Sequence, residues 1–327
     1  MPADRAFRVL VTGGNGFIGS VVVRALLHKG YHVRCLLRPT SRTGRIDGLP
    51  VERVVGDVCD ADSVRAAMQG CGSVVHLAGI SRWTEIHSPR MERVVVGGTT
   101  NVLEAAKAMG GPRTVFVSSA VAVNGSRRPI VHTEASLSSL DFGRYVYARA
   151  KREAEARCRR AAADGVPVVI VNPGEVYGPD DTELVTAANL VDFAKSRIVL
   201  VCDGGTSVAH VVDVAAGIVA ALEKGRPGER YILGGDNLTI RQLAELTLSI
   251  LGRRKPIWTV PNPVVRLLAA AGRFGVPLPF NPEVIPYATL YWFMDSRKAR
   301  EELGAGFRSA RETLAPTLDW LRAVGHV

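Results

Sequence analysis

Short apolar runs alternate with amphipathic stretches through the first half of the chain. Runs of this kind are typical of strands buried on both faces, and they occur at 9–11, 31–37, 51–55, 73–77, 114–117 and 168–171. Helix-like periodicity covers 17–29, 61–69, 88–109 and 144–163. Strands that alternate with helices of this length pair in parallel through right-handed crossovers. The pattern predicts an α/β fold with a Rossmann-type doubly wound parallel sheet over residues 1–172.

The pattern changes after residue 172. Loops rich in glycine, proline and aspartate separate short helices, and residues 256–294 are rich in proline and large apolar side chains. We interpret 173–327 as a smaller, mostly helical lobe that binds substrate over the carboxyl edge of the sheet. Segments near 199–233 are expected to return to the first domain.

Bulk composition narrows the function classes. The chain has 327 residues, 47% of them hydrophobic and 22% charged, which is ordinary for a globular protein. Its apolar runs end well before the ~18 residues that a membrane span needs, and no apolar segment precedes the first strand. We therefore expect a cytoplasmic protein with no membrane partner.

The net charge of +10 has two interpretations, nucleic-acid binding or attraction of an anionic cofactor. Arginines are scattered, and the cluster at 152–160 is interleaved with Glu153 and Glu155 on one predicted helix. This favours a cofactor and no nucleic-acid partner. The five cysteines lack C-x-x-C spacing and paired histidines, so neither a metal site nor disulfides are predicted.

A glycine-rich turn follows the first strand. Gly13, Gly16 and Gly19 fit T-G-x-x-G-x-x-G, and a helix is predicted to begin at Phe17. In such a turn the backbone approaches a pyrophosphate, and the helix N-terminus points its amides at the phosphates. The position of the turn between a strand and a helix favours a dinucleotide over an unliganded tight turn.

The following strand ends indicate which dinucleotide is bound. Proteins that bind the cofactor without a 2′-phosphate usually have an acidic residue at the position of Arg38. Arg38, together with Ser41 and Arg42, is instead suited to binding a 2′-phosphate. NADP(H) is therefore favoured over NAD(H), which stays an alternative. Asp57 is expected to accept the adenine amine, or else to cap a helix.

The fourth strand is followed by three small or apolar residues, Leu77, Ala78 and Gly79, which let the backbone pass the middle of the cofactor. His76, just before them, is interpreted as a structural histidine rather than a catalyst.

Tyr147 and Lys151 are four residues apart on a predicted helix and so share a face. A neighbouring ammonium favours the phenolate, and we expect it to lower the pKa of Tyr147 by about two or three units. The phenol then exchanges a proton with a substrate alcohol or carbonyl. Ser119, or alternatively Ser118, is expected to hold the substrate oxygen.

At this point the chain resembles the extended short-chain dehydrogenase/reductases, also called the NAD-dependent epimerase/dehydratase family. Its markers appear in order over residues 9–304 as T-G-G-N-G-F-I-G, G-D-V, H-L-A-G, V-S-S, Y-A-R-A-K, N-P-G-E-V-Y-G-P and D-S-R-K-A-R-E-E-L-G. The resemblance implies a nicotinamide cofactor, a catalytic set of Ser119, Tyr147 and Lys151, and a substrate-selecting second lobe. It also implies cofactor contacts from Phe17, Ile18, Val58, Pro173 and Val176.

Departures from the family pattern bear on the substrate. Val95 stands where a polar residue often lies behind the active site, and Asn172 and Glu175 replace the Arg and Asn of members that act on nucleotide sugars. Residues 206–208 lack the arginine expected for a diphosphate. The pattern is closest to the dihydroflavonol reductase and 3β-hydroxysteroid dehydrogenase branch, which implies an apolar ketone, aldehyde or secondary alcohol as the small-molecule partner.

Two other functions stay open at this stage. One is a nucleotide-sugar epimerase or dehydratase that retains its cofactor. The other is a non-catalytic regulator that senses dinucleotides, although such a protein has no use for a Tyr-Lys pair. A homodimer through the helices at 88–109 and 144–163 is an expectation from the family alone.

Overall fold

The computed structural model describes residues 7–137, 140–272 and 281–327. Part of the apolar segment at 256–294, residues 273–280, therefore lies outside the described residues. The strands are β1 (Arg8–Thr12), β2 (His32–Leu37), β3 (Glu52–Val55), β4 (Ser73–His76), β5 (Arg113–Val117), β6 (Val131–His132), β7 (Val168–Pro173), β8 (Glu175–Tyr177), β9 (Val199–Val201), β10 (Gly205–His210), β11 (Arg230–Leu233), β12 (Asp236–Thr239), β13 (Ile257–Thr259) and β14 (Tyr291–Met294).

The α-helices lie between these strands and after them. They are α1 (Phe17–His28), α2 (Ala61–Met68), α3 (Gly98–Ala108), α4 (Val146–Ala163), α5 (Ala188–Lys195), α6 (Val211–Lys224), α7 (Ile240–Leu251), α8 (Asn262–Gly272), α9 (Ile285–Ala288) and α10 (Ala310–Ala323). Within the described ranges, no helix is long and apolar enough to span a membrane.

The first sheet has seven parallel strands in the order β11-β7-β5-β4-β1-β2-β3. The strand order reverses direction at β1 and β4, so this is the doubly wound α/β arrangement that the alternating pattern predicts. Ligands of such sheets bind outside the carboxyl ends of the strands at this point. The glycine turn leaves the sheet there.

Alternate residues of the strands face two different hydrophobic layers. Leu10 packs with α2, α3 and α4, whereas Val9 and Val11 pack with α1 and α6. Side chains in a strand point alternately to opposite faces, so both faces of the sheet are covered by helices. This explains why the central strands are continuous apolar runs.

The second lobe contains helices and an additional sheet. Its strands follow the order β12-β10-β14-β6, and β8 also pairs with β10. Helices α5, α7 and α10 share a separate core around Leu190, Leu243 and Leu314. Of the segment at 199–233, α6 and β11 join the first sheet and its helical layer, whereas β9 and β10 lie in the second lobe.

The helix expected over 88–109 differs from the structure in its first half. Residues Glu92–Gly97 form a π-helical turn, and the α-helix follows from Gly98. Gly97 and Gly98, which have low helix propensity, mark the point at which the π-helical turn ends and the α-helix begins. Gly98 is also in close contact with Val58, because a Cβ atom there would lie 2.9 Å from a Val58 methyl carbon.

Candidate active site

A tightly packed glycine turn joins β1 to α1. Gly13 has a φ of +73°, a left-handed conformation that glycine adopts without strain. A Cβ atom at Gly13 would lie 2.8 Å from the backbone nitrogen of Ala78, and one at Gly19 would lie 2.0 Å from the carbonyl oxygen of Gly13. Both glycines therefore permit approaches that any side chain would block.

The first turn of α1 is suited to an anion. No side chain caps the helix at Gly16, and no acidic residue lies in its first turn. The free amides and the positive end of the helix dipole are directed at the glycine turn. The sequence motif and this local geometry together fit the pyrophosphate of a dinucleotide.

His76 is buried at the end of β4 and is hydrogen bonded through both ring nitrogens. Its Nδ1 lies 2.6 Å from the Thr12 hydroxyl oxygen, and its Nε2 lies 3.1 Å from that of Thr99. Because the Thr99 hydroxyl donates to the Val95 carbonyl, it accepts from Nε2. Burial and the nearby Lys151 charge lower the pKa of His76 to about 3. The residue is a neutral structural histidine, as the sequence indicates.

Tyr147 lies in the first turn of α4 and is half-buried. The Ser119 side chain, at the end of β5, faces the Tyr147 hydroxyl. Burial raises the pKa of Tyr147, and the polar Ser119 side chain opposes that rise. The expected lowering of this pKa by Lys151 is therefore wrong for this structure.

The Lys151 ammonium is held by the strand beside α4. Its Nζ donates to the carbonyl oxygen of Val117 at 2.9 Å and lies 5.1 Å from the centre of the Phe116 ring. Burial lowers the pKa of Lys151 to about 8. A Cβ atom at Gly79 would lie 3.6 Å from Nζ, so the ammonium faces the backbone after β4 as well as β5.

The two serines after β5 have different partners. Ser118 is 5% exposed and donates to the buried carboxylate of Glu155 at 2.6 Å. The Ser119 side chain faces the Tyr147 hydroxyl, and its Oγ accepts from the Val121 amide at 3.4 Å. Of the two alternatives, the geometry favours Ser119 as the hydroxyl that faces a substrate oxygen.

Arg38 and Asp57 lie at the carboxyl ends of β2 and β3. The Arg38 side chain is exposed, and its backbone amide donates to the Ser41 hydroxyl at 3.0 Å. Asp57 accepts from the Cys59 amide at 2.9 Å, whereas Asp60 caps α2. The helix-capping role considered for Asp57 therefore belongs to Asp60.

The remaining residues expected near a cofactor surround the same edge of the sheet. Phe17 and Ile18 begin α1, and the Phe17 ring approaches the backbone at Gly178. Pro173 ends β7, and Val176 lies in β8 against β10. The Val58 side chain packs against α3, and its carbonyl oxygen accepts from the Asn101 side chain at 2.8 Å.

Two ion pairs connect the lobes beside this edge. Arg45 Nε lies 3.3 Å from the Asp180 carboxylate, and Arg82 Nε donates to Glu183 at 3.0 Å. Asp180 has a φ of +73°, an uncommon conformation for a residue with a side chain. The loop after β8 is thus held across the cleft by arginines from the first domain.

Residues 9–234 match the family model for the NAD-dependent epimerase/dehydratase family. The chain belongs to this family. The match includes the glycine turn, the serines after β5, the Tyr-Lys pair and the strands that carry them.

Relatives of this epimerase/dehydratase family member cover nearly its whole length. A protein of Synechocystis sp. named putative dihydroflavonol 4-reductase is 32% identical over 97% of this chain and 95% of its own. A Stigmatella aurantiaca protein, named as a ketoreductase of a farnesylated dihydroquinoline oxide, is 30% identical over 97% and 96%. The crystal structure of gox2253 has a TM-score of 0.84 at 29% identity over 98% and 99%. The chain is an NAD(P)-dependent oxidoreductase of the extended short-chain dehydrogenase/reductase branch.

In this family member, an aromatic cluster surrounds the start of α4. The Tyr287 ring contacts Trp83 at 5.2 Å and Tyr145 at 5.3 Å, and stacks on Trp292 at 5.9 Å between ring centres. The Tyr287 hydroxyl accepts from the backbone amides at the start of α4. The rings come from both lobes and lie near Tyr147. We call this cluster of Trp83, Tyr145, Tyr287 and Trp292 the aromatic wall.

Asn172 and Glu175, the two departures from the nucleotide-sugar pattern, are both engaged. Asn172 is fully buried and donates to the Ser119 carbonyl at 2.9 Å. Glu175 accepts from the Asn189 side chain at 3.2 Å, and the same amide donates to the Tyr177 hydroxyl at 2.8 Å. Burial raises the pKa of Glu175. Neither residue offers a positive charge to a diphosphate.

The sequence predicts neither the aromatic wall nor the buried contacts of Glu155. The wall joins residues more than 200 positions apart, such as Trp83 and Tyr287, and the sequence shows only that the second lobe is rich in aromatic residues. Glu155 has a local signal, because it lies four residues after Lys151 on the same helical face.

Proposed function

We propose that this oxidoreductase reduces a ketone or aldehyde on an apolar small-molecule skeleton, or oxidises the corresponding secondary alcohol. The observation that carries the proposal is the placement of the Ser119 side chain beside the Tyr147 phenol, next to Lys151 and an aromatic wall. Two hydroxyls that converge in a half-buried site are suited to binding one carbonyl oxygen.

The bound nicotinamide cofactor supplies or accepts the hydride. The residues proposed to hold the cofactor line the carboxyl edge of the sheet: Gly13, Gly16, Phe17, Ile18, Arg38, Asp57, Val58, Leu77, Ala78, Gly79, Tyr147, Lys151, Pro173 and Val176.

Tyr147 donates the proton in the direction of reduction. Because burial raises its pKa, the phenol is protonated at neutral pH and delivers its proton to the carbonyl oxygen as the adjacent carbon is reduced. Ser119 orients the oxygen by a hydrogen bond. The Lys151 ammonium, which is held by the Val117 carbonyl and lies near Gly79, is assigned to cofactor binding.

The aromatic wall supports an apolar substrate. The rings of Trp83 and Tyr145 are half-buried and offer apolar surface to a flat or aliphatic skeleton, and the buried rings of Tyr287 and Trp292 pack behind them. The named reductase relatives support the same class of substrate. An assay of apolar ketones and aldehydes with NADPH and NADH tests it directly.

The alternative activity, a nucleotide-sugar epimerase or dehydratase, is tested in parallel. UDP- and dTDP-sugars are titrated into the protein, and tight binding of any of them would reverse the proposal. Oxidation of NADPH with an apolar carbonyl, together with no binding of these sugars, would support it. Glu175 disfavours a diphosphate because it places a carboxylate, and no positive charge, in this part of the second lobe.

The preference for NADP(H) is proposed to depend on Arg38. We expect Arg38→Ala to raise the Kd of NADPH by about 10- to 100-fold, the value of a lost charge-assisted hydrogen bond. The Kd of NADH is expected to stay nearly constant, because it carries no 2′-phosphate. Fluorescence titration with both cofactors measures the two values.

Arg53→Ala is the matched control for Arg38→Ala. Arg53 lies in the neighbouring strand β3 and pairs with Asp47 at 2.9 Å. This variant should bind NADPH as the wild type does. Equal losses of NADPH and NADH affinity in Arg38→Ala would contradict a phosphate contact.

A further inference from the structure

Glu155 is a completely buried carboxylate in α4. One of its oxygens, Oε1, accepts from the Ser118 hydroxyl and from the Asn172 amide, each at 2.6 Å. The other oxygen, Oε2, lies 3.2 Å from the Arg159 guanidinium and 3.4 Å from that of Arg230. Burying a carboxylate is costly unless such partners satisfy it, and all four contacts are therefore needed.

The two partners of Oε1 lie at the strand ends that carry the proposed catalytic groups. Ser118 follows β5 and immediately precedes Ser119. Asn172 lies in β7 and donates from the same amide nitrogen to the Ser119 carbonyl at 2.9 Å. Glu155 thereby fixes the backbone of Ser119 from behind the site.

The same carboxylate faces the charge of Lys151. The ionisable groups that interact electrostatically with Lys151 are His76 from β4 and two residues of α4, Glu155 and Cys158. Tyr147 lies one turn earlier on the same helix. His76 is neutral, and burial raises the pKa values of the Cys158 thiol and the Tyr147 phenol. Among these described groups, Glu155 alone is a carboxylate, and it forms ion pairs with Arg159 and Arg230.

We propose that Glu155 is a positioning residue that keeps Lys151 protonated by its buried charge and holds Ser119 in place through Ser118 and Asn172. The inference rests on the proposed function, since it assigns Lys151 and Ser119 their roles. It extends the Tyr-Lys pair by one helical turn, so that residues 147, 151 and 155 act along one face of α4.

The direct test is a side-chain NMR titration of the ligand-free protein with isotope-labelled lysine. The chain has seven lysines, and Lys151→Met identifies the Lys151 signal by its loss. In the wild type this signal is expected to titrate with a pKa of about 8. In Glu155→Gln the midpoint should fall by about one unit, because an opposite charge has been removed.

Two further variants control this measurement. Glu153→Gln lies on the same helix, but its carboxylate is half-exposed and pairs with Arg157 and Arg160. It should leave the Lys151 midpoint unchanged. In the single variant Glu155→Gln, the Arg230 guanidinium loses its carboxylate partner. The double variant Glu155→Gln/Arg230→Gln removes this guanidinium as well. The double variant keeps the test valid if the single variant does not fold.

Activity provides a second measurement. The upper limb of the pH profile of kcat/KM in Glu155→Gln should shift down by the same amount as the Lys151 midpoint, and Glu155→Asp should restore part of the shift. An unchanged Lys151 midpoint in folded Glu155→Gln or the double variant would overturn the inference. A wild type that reduces no carbonyl compound overturns the proposed function instead, whereas the NMR titration needs no substrate.

Discussion

Tyr147→Phe lowers the rate of carbonyl reduction by about 10²- to 10⁴-fold, the contribution typical of a positioned general acid. The ring stays in place, so the half-buried packing at the start of α4 is kept. The phenol proton is lost, and Ser119 alone cannot replace it because its hydroxyl is a much weaker acid. Steady-state kinetics with an accepted carbonyl substrate measures the fall in kcat.

Cofactor binding separates this effect from a loss of structure. The Kd of NADPH for Tyr147→Phe should be nearly that of the wild type. Tyr31→Phe is the matched control, because the Tyr31 hydroxyl contacts Glu223 at 3.4 Å, away from the site. Turnover by Tyr147→Phe at more than half of the wild-type rate would remove this phenol from the mechanism.

Gly19→Ala is expected to destabilise the protein by about 1–3 kcal/mol and to weaken cofactor binding by at least about tenfold. The added Cβ would lie 2.0 Å from the carbonyl oxygen of Gly13, and backbone cannot give way as a flexible side chain does. The glycine turn must therefore move away from α1. Thermal unfolding and cofactor titration measure the two losses.

Gly44→Ala adds the same methyl group where there is room for it. No atom lies within 4 Å of a Cβ atom built at Gly44, and its φ is not positive. Wild-type stability and affinity are expected for this variant. If Gly19→Ala behaves in the same way, the close approach of α1 to the turn is not required for binding.

The order and direction of the first sheet follow from local pattern. Central strands are apolar throughout, and each is followed by an amphipathic helix, so parallel pairing is nearly imposed. The sheet of the second lobe could not be predicted in this way. Val131 pairs with Phe293 across more than 150 residues, and β6 has only two residues. Such short, distant pairings leave no periodic signal.

The candidate site, too, could be predicted only in part from the sequence. The spacing of Tyr147 and Lys151 predicts that they share a helical face, but not where the ammonium points. The ammonium is held by a strand more than 30 residues earlier, through a hydrogen bond to the Val117 carbonyl and a contact with the Phe116 ring. The pKa values of both residues depend on burial, which spacing along one helix does not reveal.

The chain crosses between the two lobes more than once. Helix α6 and strand β11 complete the first sheet after β8, β9 and β10 have entered the second lobe, and β6 contributes a strand to the second sheet from within the first half. A protease that cuts near residue 173 would therefore not release an autonomous nucleotide-binding fragment. It would expose the apolar edge of β7, and the fragment would be prone to aggregate through that unpaired strand.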